Sequence, residues 1–130
     1  MYNTVILERF NNLQNTGMIT NADAVGQVGS VSSGNMIKIY LRIANGIITD
    51  AKFKTFGSVY TLVISDIVCD LLKKRTLESA LLIKSDTILK ALNGLPDNKL
   101  QIVDLAQSVI SDAVEDYHKK MAKTKLNIKK

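Results

Sequence analysis

The stretch MIKIYLRIANGIITDAKFKT, residues 36 to 55, sets the architecture of this chain. Apolar and polar side chains alternate through its first half, a two-residue period that predicts a half-buried β-strand from Met36 to Ala44. The Asn-Gly pair that follows predicts a turn, and the second half predicts an antiparallel partner strand from Ile47 to about Thr55. The side chains of the first strand that we expect to face the core are Ile37, Ile39, Leu41 and Ile43.

The register of this hairpin follows from its apolar face. A two-residue loop at Asn45-Gly46 would place charged side chains opposite the apolar ones, whereas a three-residue loop, Ala44-Asn45-Gly46, would pair Ile43 with Ile47 and keep the face apolar. A slip of one residue moves every side chain to the other face of a strand. We therefore expect the three-residue loop, closed by a left-handed Gly46 as a glycine bulge.

The second half of the chain changes to helical patterns. An almost continuous apolar run from Val59 to Leu72 predicts a helix buried on most sides, with Ser58 as its N-cap. Thr76 and Ser85 are expected to be the N-caps of two short helices. The other predicted elements are helices over residues 4–13, 77–82, 86–92 and 103–123, and an edge strand near residues 27–31.

This order of elements predicts an α+β fold, in which a small three-stranded antiparallel sheet has helices packed on one face. The length of 130 residues suits one domain, and no linker, repeat or low-complexity stretch divides the chain. We therefore expect a single domain over residues 1–130.

The positive charge of the chain is concentrated at its C-terminal end. Six of the 17 basic residues are lysines within residues 119–130, a segment without any acid, and the remaining 11 are balanced by 12 acidic residues. We expect this tail to be a frayed, solvated helix end, with contact to an acidic partner as the alternative. The near-neutral body lacks the basic stripe of nucleic-acid-binding domains, so no nucleic-acid partner is expected.

The single cysteine, Cys69, lies within an apolar helix and is expected to be a buried core residue in a reducing compartment. The N-terminus carries no pattern of a signal peptide, and no segment approaches the roughly 20 apolar residues that span a bilayer. We expect a cytoplasmic protein with no membrane partner.

Polar residues elsewhere on the helices are expected to have ordinary roles. Asp112, Glu115 and Asp116 lie close together on the last predicted helix and are interpreted as a solvated face. Ser65 and Asp66 interrupt the apolar helix and are expected to find local hydrogen bonds. Because no phosphate-binding loop or catalytic pair with supporting spacing is present, the chain is not expected to be an enzyme.

Four segments of the chain carry a resemblance to a known family, and they follow one another in the same order as in that family. Residues 46–57, GIITDAKFKTFG, are similar to the family sequence G-I-I-x-D-A-R-F-K-T-Y-G. Residues 12–17, NLQNTG, are similar to N-P-R-N-x-G, residues 28–35 to the first ligand loop, and residues 95–99, LPDNK, to L-P-P-V-K. From about Ile6 to Met121 the chain thus resembles the IscU/NifU N-terminal scaffolds, on which iron–sulfur clusters are assembled. The resemblance implies the same α+β fold.

The resemblance also implies where a cluster would be held. Three cysteines, an aspartate and a histidine of the family correspond to positions that carry none of these residues here. Cysteine thiolate is the standard ligand of iron–sulfur clusters and of structural zinc, whereas neutral hydroxyl, amide and alkyl groups are not. We therefore expect no cofactor and no bound metal at the five positions, which are Ser33 and Ser58 for the first two cysteines, Asn35 for the aspartate, Gln101 for the histidine and Ile102 for the third cysteine.

The partners implied by the resemblance are a cysteine desulfurase and an Hsp70-type chaperone, and self-association into a homo-oligomer is a further option. The chaperone loop of the family corresponds to Leu95, Pro96, Asp97, Asn98 and Lys99. The expected function is that of a non-catalytic binding or regulatory module in iron–sulfur cluster assembly that holds no cluster itself. The alternatives are a structural or interaction protein outside that pathway, and a cluster carrier that uses atypical ligands.

Overall fold

A computed structural model describes residues 2–129, with side chains described from Tyr2 to Lys125. Five helices and three strands follow one another, with a short 3-10 turn at Asp97–Lys99 before the last helix. The elements are α1 (Thr4–Phe10), β1 (Ala24–Ser30), β2 (Asn35–Ala44), β3 (Ile47–Phe56), α2 (Val59–Leu72), α3 (Leu77–Ala80), α4 (Ser85–Ala91) and α5 (Gln101–Lys129).

The three strands form one antiparallel sheet in the order β1-β2-β3. Helix α5 packs on β1 and β2, helix α2 packs on β3, and the two helices contact each other. The alternating residues of β2 that face them, such as Ile37 and Ile39, are fully buried. The predicted α+β architecture, with helices on one face of the sheet, is therefore confirmed.

The β2–β3 hairpin differs from the predicted register. The loop has two residues, Asn45 and Gly46, both with positive φ (55° and 74°), and not three. The pairing then shifts by one residue, so that Thr49 is the extra residue of a bulge in β3. The predicted loop and its pairing were wrong because Asn45 adopts the left-handed conformation that a tight primed turn requires. The apolar face is kept by the bulge instead, which pairs Ile39 with Phe53.

The three predicted helix N-caps have different outcomes. Thr76 does cap α3, since its hydroxyl accepts a hydrogen bond from the Ser79 amide at 3.1 Å. Ser85 does not cap α4, because Lys84 occupies the N-cap position and the Ser85 hydroxyl donates to Gln107 at 3.0 Å. Ser58 is the N-cap residue of α2 but makes no capping hydrogen bond.

Helix α5 begins two residues before the predicted start and continues through Lys129. The basic side chains described in its last turns, such as Lys123 and Lys125, are exposed, as expected. The predicted fraying of that end stays a prediction, and Lys130 lies outside the described residues. Among the described residues, no helix is both long and apolar enough to cross a membrane.

A buried carboxylate fixes the segment between α1 and β1. Asp66 of α2 has no exposed surface, and its side chain accepts hydrogen bonds from the Gln14 and Asn15 amides at 3.0 and 2.9 Å. Arg9 pairs with Asp66 at 2.9 Å and with Asp70 at 2.6 Å. The expectation of local bonding thus holds for Ser65, which donates to the carbonyl one turn back, but not for Asp66. Asp66 instead binds backbone about fifty residues earlier in the chain, because a fully buried charge needs several donors.

Helix α5 and the edge strand β1 are in unusually close contact. A Cβ atom at Gly26 would lie 2.6 Å from the carbonyl oxygen of Val109 and 2.8 Å from the amide nitrogen of Ala113. Asp112 and Asp116 lie one turn apart on α5. Asp112 accepts a hydrogen bond from the Gln27 amide, and Asp116 accepts one from the Val25 amide, each at 2.8 Å.

These two aspartates therefore satisfy outward-facing N–H groups of an edge strand, which otherwise would need water. The interpretation as a solvated face holds for Asp112 and Glu115, which are exposed, and Glu115 pairs with Lys119. Asp116 is half-buried, and the bonds of both aspartates to β1 were not predicted. Burial alone would raise the pKa of Asp116, but the Val25 amide and the Lys120 ammonium hold this pKa below its usual value.

Replacing Gly26 tests the close contact. Gly26→Ala is expected to lower the free energy of unfolding by about 1–3 kcal/mol, because the added methyl must push backbone atoms of α5 away from the sheet. Gln27→Ala, which removes an exposed side chain from the same strand, should change it by less than about 0.5 kcal/mol. Urea unfolding measures both, and equal stabilities of the two variants would contradict the predicted contact.

The carboxylate of Asp116 is expected to make stability pH-dependent. Because its pKa is lowered by folding, its contribution is present above the unfolded-state pKa of about 4 and is lost as the pH falls through the lower folded-state value. Asp116→Asn should therefore cost about 1 kcal/mol at pH 7 and lose its difference from wild type in strong acid. Glu115→Gln, which removes the same charge one residue away, is the control. Stability curves of the Asp116→Asn variant and the wild type that stay parallel between pH 7 and pH 2 would refute this assignment.

Candidate functional site

One end of the molecule brings together the positions that the sequence singled out. There, the β1–β2 loop meets the start of α5 and encloses a cavity of about 250 Å³. Four of the five predicted ligand positions line this cavity. Its lining residues are Gly29, Ser33, Asn35, Gln101, Ile102 and Leu105, none of which is charged.

The fifth position, Ser58, reaches the same site through a chain of polar contacts. Its hydroxyl lies 3.4 Å from the hydroxyl of Thr61, which is one turn into α2 and fully buried. Thr61 in turn donates to the side-chain oxygen of Asn35 at 2.5 Å. Gly57 permits this approach, because a Cβ atom there would lie 2.7 Å from both the Asn35 and the Thr61 oxygens. The five positions therefore form one connected site.

Several polar atoms of the site have partners within the protein, namely the Ser33 and Ser58 hydroxyls and the side-chain oxygen of Asn35. The Ser33 hydroxyl donates to the Ser30 carbonyl at 2.9 Å, and the Ser30 amide donates back to it at 3.3 Å. These contacts close the β1–β2 loop, together with the left-handed Gly29, at which any side chain would collide with the Asn35 carbonyl. Ser33 is thus a turn residue here, and its oxygen is committed to the loop.

The donor set does not fit an iron–sulfur cluster or a zinc ion. The site offers neutral hydroxyl and amide oxygens and the alkyl side chain of Ile102, which is 2% exposed. Soft metal centres of this type are bound by thiolate and imidazole, which the five positions lack. Across the residues with described side chains, no group of three or more His, Cys, Asp or Glu could hold a metal ion.

The lone cysteine and histidine lie elsewhere. Cys69 is fully buried in α2, as predicted, and burial together with the charge of Asp66 raises the pKa of its thiol. It therefore remains a protonated core residue and supplies no thiolate. His118 is exposed in the second half of α5, more than four turns beyond the first helical residues, which line the cavity.

Exposed apolar side chains flank the site, and the sequence had not singled them out. Val31, Phe56 and Leu100 are 58%, 47% and 40% exposed, and each lies within two residues of a predicted ligand position. Thr61 was also missed, although its spacing of three residues from Ser58 places the two on one helical face. Large apolar groups left in water around one site are typical of a surface that contacts another molecule.

The predicted partner loop, residues 95–99, joins α4 to α5. Leu95 packs against the core, and the Lys99 ammonium lies 5.7 Å above the ring of Tyr60, so both ends of the loop are anchored. Pro96, Asp97 and Asn98 between them are exposed. The loop therefore presents a polar, acidic tip.

The fold and the site together define an α+β domain in which the predicted ligand positions lie at one end. Residues 1–124 match the sequence model of the NifU-like N terminal domain family, and the chain belongs to this family. The family resemblance expected from the sequence is thereby confirmed.

Two relatives agree with this membership. The chain is 36% identical over 123 residues to the iron-sulfur cluster assembly scaffold protein IscU 1 of Archaeoglobus fulgidus. The matched region covers 95% of this chain and 80% of that protein. It is 34% identical over 125 residues to the mitochondrial iron sulfur cluster assembly protein 1 of Debaryomyces hansenii, covering 92% of this chain and 69% of that protein.

A solved structure shares the fold. The crystal structure of a NifU-like protein (N-terminal) from Brucella abortus superimposes with a TM-score of 0.74, covering 91% of this chain and 94% of that one at 19% sequence identity. At this identity the likeness concerns the fold alone.

Proposed function

We propose that this protein acts in iron–sulfur cluster assembly as a non-catalytic binding or regulatory module that holds no cluster itself. The observation that supports the proposal is that the five predicted ligand positions carry only neutral groups, several of which are bonded within the protein. Ser33 bonds within its own loop, Asn35 accepts from Thr61, and Ile102 offers no donor. The scaffold shape is retained, whereas the chemistry needed to bind a cluster is not.

What supports a binding role is the surface around this site. A site that no longer needs to admit a cluster has no evident reason to keep Val31, Phe56 and Leu100 in water, unless a partner covers them. A cysteine desulfurase is the partner we test first. An Hsp70-type chaperone is less favoured, because Asp97 and Asn98 stand where the family loop has a proline and a valine. Self-association and a cytoplasmic location stay predictions from the sequence.

The loss of metal binding can be tested by restoring the ligands. Anaerobic reconstitution with iron and sulfide should leave the wild-type protein colourless and metal-free. The variant Ser33→Cys, Ser58→Cys, Gln101→His and Ile102→Cys should bind about one zinc ion per chain, because three thiolates and an imidazole are the donors of a closed zinc site. Metal analysis of the purified protein measures both results.

A matched control carries the same new side chains on separate elements, as Ser79→Cys, Thr87→Cys, Thr124→Cys and Gln27→His. It should stay metal-free if the restored variant binds through geometry and not through added thiols. Iron and sulfide retained by the wild type would show a cluster carrier with atypical ligands and contradict the proposal. A restored variant that folds but binds no zinc would refute the ligand-site geometry.

The binding role can be tested with the cysteine desulfurase of the same cell. We expect a complex at micromolar concentration by isothermal titration calorimetry. The double variant Val31→Ser and Leu100→Ser should weaken it about tenfold, because apolar anchors carry a large share of interface energy. The control is Leu81→Ser and Leu82→Ser, which changes two exposed leucines after α3 and should leave the affinity unchanged. Absence of any complex would argue for a module outside this pathway.

A further inference from the structure

The face of the sheet that no helix covers carries three lysines without acidic partners. Lys38 lies on the central strand β2, and the strand register places Lys54 directly opposite it and Lys52 opposite the neighbouring Tyr40. The ion pairs found among the described side chains involve none of these lysines. We call Lys38, Lys52 and Lys54 the open-face lysine patch.

This arrangement is unfavourable in the isolated molecule. Like charges directly opposite each other on neighbouring strands destabilise a sheet, and the residue on the other side of Lys38 is the neutral Gln27. Lysines are often placed on edge strands to prevent aggregation, but Lys38 is on the central strand, where no such protection is needed. The Tyr40 ring, 5.2 Å from the Lys38 ammonium, offsets only part of the cost.

The patch has clear borders. At one end of the face, Arg42 pairs with Asp50 in the register and lies 3.8 Å from Asp23, so the positive charge there is balanced. At the other end, the next row on the same face is Met36 and the half-exposed Phe56, which borders the candidate site. The surface therefore consists of three uncompensated charges beside one exposed aromatic ring.

We propose that the open-face lysine patch binds an acidic segment of a partner protein, with carboxylates against the lysines and an apolar side chain against Phe56. Neighbouring strands are about 4.8 Å apart and alternate residues about 6.6 Å apart, so the three charges match a few carboxylates of one short segment. A nucleic acid would require a longer basic stripe than these three residues supply. The inference rests on the proposed binding function and gives the chemistry of the partner.

Binding is tested with a defined probe, a short fluorescein-labelled peptide in which glutamate alternates with glycine before a phenylalanine. Fluorescence anisotropy at low salt should show binding that weakens as salt is added, since the contacts are exposed. The triple variant Lys38→Gln, Lys52→Gln and Lys54→Gln should bind about tenfold more weakly. The control is Lys84→Gln, Lys90→Gln and Lys123→Gln, which changes the net charge equally and should keep most of the affinity.

A single charge reversal separates binding from a structural role. Lys54→Glu replaces the repulsion across from Lys38 by an attractive pair, so the midpoint of thermal unfolding should rise by about 2 °C. The same change should weaken peptide binding, because it places a negative charge in the patch. Lysines that only stabilised the sheet would make both quantities fall together, which would overturn the proposal.

Three other outcomes would also overturn it. Equal losses in the two triple variants would show that only net charge matters, and equal affinity for a peptide with glutamine in place of glutamate would exclude carboxylate recognition. Tighter binding of a single-stranded oligothymidine, lost in the Lys38, Lys52 and Lys54 variant, would assign the patch to nucleic acid. These measurements do not involve metal, so cluster retention by the wild type would refute the proposed function without changing their result.

Discussion

The contact between α5 and the edge strand β1 is the constraint on which the rest of the structure depends. Gly26 allows the helix backbone to approach the strand, and Asp112 and Asp116 bind the strand amides on either side of that glycine. Because the unpaired N–H groups of an edge need partners, these bonds fix where α5 lies along β1. The position of Gln101 and Ile102 beside the β1–β2 loop follows, and with it the cavity.

The candidate site is shaped by close backbone approach and carries neutral side chains at the five predicted ligand positions. Gly29 and Gly57 permit close approach of the backbone to Asn35 and Thr61, where the β1–β2 loop meets α2. Polar side chains of the site are bonded to one another, as in the hydrogen bond from Thr61 to Asn35. A buried polar group is stable only when it is bonded, so the fully buried Thr61 hydroxyl needs such a partner.

The two faces of the sheet have different roles because only one is covered. Helices α2 and α5 bury the apolar side chains of β2 and supply the core, whereas the opposite face keeps Lys38 and Arg42 in contact with water. Tyr40 is an exception, since it lies on the open face and is nevertheless buried. The repulsion between Lys38 and Lys54 therefore lies on the face of the sheet that the helices leave uncovered.

The sequence by itself determined the strands at residues 36–56, the buried helix α2 and the Thr76 cap, since each depends on neighbours a few positions apart. It also indicated the family, because four short segments recur in the same order along the chain. It also determined that the five predicted ligand positions carry no thiolate, imidazole or carboxylate. Only the tertiary structure decided the two-residue turn with its bulge at Thr49, the bonds from Asp66 to residues 14 and 15, and the role of Asp116. The Asp116 bond joins residues 91 positions apart. Such a bond depends on how two elements pack, and no local pattern of residues records that geometry.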